Sequence, residues 1–70
     1  MSDFDVSNEY KLQTLQSRLE ALNVEGWHNE EAQTIARATN NEEEYDRLSQ
    51  NIVIIKNAIV AVQAQIDDLA

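Results

Sequence analysis

Between Tyr45 and Leu69 the apolar positions recur at intervals of three and four without a break: Tyr45, Leu48, Ile52, Ile55, Ile59, Val62, Ile66 and Leu69. An α-helix turns once in about 3.6 residues, so this spacing draws one narrow apolar seam along a single helix. A coiled-coil-like helix over about 41–69 is therefore predicted. Tyr45, Ile52, Ile59 and Ile66 take one core position of the heptad, and Leu48, Ile55, Val62 and Leu69 take the other. The seam is not this segment's only apolar surface. Val53, Ile54, Ala58, Val60 and Ala61 coat much of the rest between residues 52 and 62, and such a helix needs cover on more than one side.

A shorter row, Leu12, Leu15, Leu19 and Leu22, marks an N-terminal helix. Ser2 or Ser7 suits its cap, and Asp3, Asp5 and Glu9 suit the positive end of its dipole. Gly26 is the expected stop, because glycine reaches the left-handed conformation of a helix C-terminus without steric penalty. The first helix is thus placed at about 7–25 with a loop at 26–29, and a Schellman ending would set Trp27 against Leu22. A short linker helix follows at about 30–39, capped by Asn29, with Ala32, Ile35 and Ala36 as a thin apolar face. Asn41 with Glu44 three residues on has the spacing of a capping box, so a new helix is expected at 41. The architecture this predicts is all-α: a single helical domain over 1–70, folded as a hairpin and associating with its own copies.

Association enters through length. A single core in a chain of 70 residues rarely supplies more than about 3–5 kcal/mol, and no cysteine is present to staple it. A first helix of about 16–18 residues covers only part of one of about 29. Each Ile or Val side chain left in water forfeits roughly 1.5–3 kcal/mol. The seam from Tyr45 to Leu69 is accordingly assigned as an oligomer interface, with a homodimer or homotrimer expected.

Charge narrows the partners. A formal net charge of −8 argues against nucleic-acid and anionic-membrane surfaces, which call for clustered Lys and Arg. The most apolar window, Ile52 to Val62, holds nine apolar residues in eleven, well short of the roughly 20 that cross a bilayer. Met1 to Asp5 lacks the features of a secretory signal, so a cytoplasmic setting, or a virion, is expected.

Glu42, Glu43, Glu44 and Asp46, joined by Glu30 and Glu31, form the main acidic cluster. Such a cluster suits a solvated helix start. It also suits a surface that imitates nucleic-acid phosphates and occupies a basic groove of another protein, the device of small acidic viral inhibitors. Reaction chemistry finds little footing. Glu25 and His28 have a di-iron spacing, but a glycine and an expected helix end lie inside it, and His28 with Glu31 supplies two ligands only. Four serines share one histidine, and one glycine cannot build a phosphate loop. No enzyme, metal or cofactor is expected. Tyr10 and Lys11, with Trp27 or Arg37, would form a nucleotide pocket only in a cleft between subunits. The expected function is assembly through the C-terminal helix, with acidic inhibitor and nucleotide sponge as alternatives.

Overall fold

The structure, a computed structural model, describes residues 3–69. Two helices account for nearly all of them: α1, Asn8–Ala38, and α2, Glu42–Leu69. They run about 46 Å and 42 Å and fold back on each other as a hairpin, in a rod of 51 × 18 × 18 Å. No strand occurs among the described residues, and no described helix is long and apolar enough to cross a membrane.

α1 starts where its cap says it should. The Ser7 side chain accepts a hydrogen bond from the Tyr10 backbone N–H at 3.2 Å, satisfying one of the donors orphaned at a helix start. Ser2, the other candidate cap, lies outside the described residues.

The expected stop at Gly26 does not occur. Residues 26–29 are helical, and the segment read as a separate linker helix is the second half of α1. Gly26 has no left-handed backbone, so Trp27 does not stand at a Schellman ending against Leu22. The helix continues because its far half has a seam of its own. Gly26, Asn29, Gln33 and Ala36 extend the row Leu12, Leu15, Leu19, Leu22 at the same alternation of three and four, and all eight are buried or half-buried. A helix end at Gly26 would leave α2 uncovered over Tyr45 to Ile55, and that cover outweighs the roughly 1 kcal/mol a mid-helix glycine costs relative to alanine.

Gly26 faces Ile55. A Cβ placed on the glycine would lie 3.5 Å from Ile55 Cγ2, an ordinary contact. Gly26→Ala is therefore expected to stabilise the hairpin by about 0.5–1 kcal/mol, read as a higher midpoint in urea. A true helix-terminal glycine would respond with a loss.

The Schellman ending lies at Asn40, well beyond the expected stop. Asn40 is left-handed, with φ 57°. Its N–H donates to Arg37 O at 3.2 Å and the Asn41 N–H donates to Ala36 O at 2.8 Å, the paired reverse bonds of that motif. Asparagine is the usual second choice to glycine there. Asn41 at once begins α2: its Oδ1 accepts from the Glu44 N–H at 3.2 Å. Two adjacent asparagines thus end one helix and start the next, and the new start expected at 41 is observed.

The core is thin and confined to the seam. Leu15 and Ala36 on α1 meet Leu48, Ile55 and Val62 on α2 as the buried apolar set. Gly26 opposite Ile55 and Gln33 opposite Ser49 set an antiparallel register that brings Leu22 level with Ile59 and Leu19 level with Val62. A polar layer that bonds across the two helices interrupts the seam at Gln33. Gln33 Nε2 donates to Ser49 Oγ at 2.7 Å, and that hydroxyl donates to Tyr45 O at 3.1 Å. A half-buried polar group with partners on the opposite helix penalises any slipped register that removes them.

Candidate functional site

The seam on α2 is occupied from within the chain. Leu48, Ile55 and Val62 are buried, and Tyr45, Ile52, Ile59, Ile66 and Leu69 are half-buried. Because α1 has 31 residues, and not the shorter length that Gly26 suggests, it spans the whole of the 28-residue α2. The residues expected to meet a second copy therefore make the hairpin's own core.

The surface left over is the back of α2. Val53, Ile54 and Val60 are 57%, 65% and 69% exposed, and Ala61 and Ala64 are exposed beside them. With Asn57 at the centre they fall in the gaps of the three-and-four spacing, at the heptad positions on the far side of the helix from the seam, which turns them away from α1. Lys56 is the only charged residue from Leu48 to Ile66, in a chain with eighteen charged residues among 70. This face is apolar by composition and uncovered in the hairpin. The back of α1 is different in kind: Val24, Trp27 and Ile35 are exposed there, but Glu20, His28 and Glu31 are interspersed.

The main acidic cluster lies at the closed end of the rod, where basic side chains interleave with it. Glu42, Glu43 and Glu44 fill the first turn of α2, where the helix dipole favours them. Glu44 does not reach back to complete a capping box. It pairs with Arg47, whose Nε donates to Glu44 Oε2 at 2.9 Å and whose second nitrogen bonds Oε1. That hydrogen bond, with the guanidinium charge behind it, holds the Glu44 carboxyl below its ordinary range and raises Arg47 above its own. A depressed carboxylate stabilises the folded state at neutral pH and loses that contribution as pH falls through its folded-state value. Arg37 donates to Tyr45 Oη at 2.7 Å with its guanidinium 4.8 Å from the ring centroid. Asp46, Glu30 and Glu31 are exposed around this pair. The result is a mixed-charge end and not an unbroken negative surface.

The remaining candidates separate in space. His28 packs its ring on Trp27, with centroids 5.3 Å apart, and lies with Glu25 on one exposed helical stretch. No group of three or more His, Cys, Asp or Glu placed to hold a metal is found among the described residues. Tyr10 and Lys11 line an open hollow of about 390 Å³ at the free end, with Asp68 and Leu69 opposite. Trp27 and Arg37 line another near the closed end. Tyr10 and Arg37 stand about 40 Å apart along α1, so no single chain brings the nucleotide-pocket residues together.

Reading by residue type missed two sets. Gly26, Asn29, Gln33 and Ala36 were hidden because three of the four are not apolar, although their spacing continues the leucine row. Asn57 was hidden because a lone amide among Ile and Val carries no signal until the face it centres is known to be exposed. Comparison with protein-family models, curated proteins and solved structures finds no match, so the functional reading rests on the surfaces described above.

Proposed function

We propose that this protein works by binding and not by catalysis: a self-associating helical hairpin whose contact surface is the back of α2. The observation that carries this reading is the exposure of Val53, Ile54 and Val60 within a nineteen-residue stretch holding one charge. A surface helix of a monomer normally presents charged and polar side chains on that face, and a contiguous apolar patch rimmed by polar residues is the usual mark of an interface. The thinness of the hairpin core points the same way, because a second apolar layer supplies burial that two helices alone do not.

The acidic-inhibitor reading has weaker support. Glu42, Glu43 and Glu44 are accounted for by the helix dipole, and Arg37 and Arg47 break the negative surface a basic groove would meet. Salt separates the two readings. Copies that each carry −8 repel, so screening strengthens self-association, whereas attraction to a basic partner weakens as salt rises. Sedimentation equilibrium across a salt series is expected to show tighter association at higher ionic strength. Replacing Glu42, Glu43 and Glu44 together by glutamine is expected to leave the assembled mass unchanged. A chain monomeric at every salt concentration counts against self-association, and assembly lost with the three glutamates moves the contact to the closed end.

A further inference from the structure

We infer that two copies pair back to back through α2, antiparallel, about a two-fold axis passing beside Asn57. The inference rests on the self-association proposed above and specifies its geometry. The stretch around Asn57 is complementary to its own reverse. An antiparallel two-fold centred there sets Val53 level with the partner's Ala61 and Ile54 level with the partner's Val60, while Gln50 meets the partner's Ala64. Val53 and Gln50 thus oppose alanines while Ile54 packs on Val60, which lets two helices interdigitate at close distance. A two-fold contact must be self-complementary in this way, since one patch serves both sides.

Asn57 supplies the register. On the axis it meets its own copy, and two carboxamides so related can exchange N–H to O hydrogen bonds in both directions. A slip of one turn moves each amide against Val53, Ile54, Val60 or Ala61 of the partner, where its polar atoms lose their partners. A single asparagine in an apolar helical contact is a well-attested device for selecting one register.

Charge at the ends of the stripe fits the same axis. Arg47, exposed at the start of the face, comes level with the partner's Asp67, with the partner's Asp68 adjacent. Those two acids sit in the last turn of α2, where no base accompanies them and the dipole of their own helix disfavours them. The pairing brings them beside a guanidinium that stays 58% exposed while it holds Glu44 of its own helix, so the cation is shared between the two copies. Asp46 remains beside the same acids, which leaves residual repulsion for salt to screen. The product is a four-helix assembly with the two α2 helices at its centre and the two α1 helices outside.

The chain contains no cysteine, so an introduced one reports without ambiguity. Two thiols introduced at position 57, pointing at each other across adjacent helices, fall within disulfide reach, whereas position 24 on the back of α1 lies on opposite outer sides of the assembly. Asn57→Cys is expected to oxidise rapidly to a covalent dimer, and Val24→Cys is not. Val60→Asp is expected to raise the dissociation constant about a hundredfold or more, because it places a charge in the contact. Its helical circular dichroism should remain, since position 60 is exposed in the hairpin. A wild-type chain monomeric at all concentrations overturns self-association and this geometry together. A trimer, an assembly indifferent to Val60→Asp, or an Asn57→Cys variant that does not cross-link overturns the two-fold at Asn57 and leaves self-association standing.

Discussion

Ile55→Asp is expected to unfold the chain. Ile55 is 6% exposed and lies against α1 at Gly26, an apolar contact that supplies no partner for a carboxylate. Burying an unpaired charge in place of a packed aliphatic group costs about 3–5 kcal/mol. That matches the whole net stability of about 3–5 kcal/mol expected from one core of this size. Far-ultraviolet circular dichroism should show helicity falling to that of a coil at about 25 °C. A variant that keeps its helicity and its hydrodynamic shape would remove the packing of Ile55 on Gly26. The contrast with Val60→Asp is the informative part: an acid placed further along the same helix, facing away from α1, is expected to spare the hairpin and weaken only association.

Leu48→Ala is expected to have the second-largest effect. Leu48 is 4% exposed, one turn beyond Tyr45 and on the seam beside the Gln33–Ser49 layer. Truncating a buried leucine costs about 2–5 kcal/mol, the range reflecting how far the surroundings collapse into the space. Collapse is limited here, because the Gln33–Ser49 hydrogen bond ties the two helices together, so a cost of about 3 kcal/mol applies. In a domain of this length each 1 kcal/mol moves the melting midpoint by roughly 4–8 °C. A fall of more than about 12 °C is therefore expected. A fall below about 4 °C would mean that the closed end of the rod is loosely packed. Val53→Ala, on the back of the same helix, provides the control and should change the midpoint of the isolated hairpin little.

Several elements were legible because their residues act locally. The seam from Tyr45 to Leu69 needs only the helical period and strongly apolar side chains. Ser7 and Asn41 need only an oxygen two or three residues from an orphaned N–H. Gly26 was misleading for the same reason. Its local preference favours a stop, but the preference is worth about 1 kcal/mol, while the cover that α1 gives to Ile52 and Ile55 depends on residues far away along the chain. The Schellman ending went instead to Asn40, where Asn41 was already available to cap the next helix. The signal that points to the longer α1 is positional: the spacing continues through glycine, asparagine and glutamine, and those residue types carry no hydrophobic weight of their own.

The candidate surface divides in the same way. That α2 is apolar on more than one side follows from its composition, as does the need for cover on each. Which side α1 takes does not follow, because either face would gain from burial and a periodic seam does not name its partner helix. The tertiary structure decides it through length and register. A 31-residue α1 folded back through Asn40 reaches the full seam, the small residues Gly26 and Ala36 let the helices approach, and Gln33 finds Ser49. Only once that seam is filled does the stripe centred on Asn57 stand out as the apolar face left exposed. The sequence by itself determined an all-α hairpin, the helix starts at Ser7 and Asn41 and an excess of apolar surface, but it divided the N-terminal arm at Gly26, where the structure runs one helix from Asn8 to Ala38. Long-range packing, which weighs a whole interface against one glycine, decided where the helices turn and which apolar face remains open.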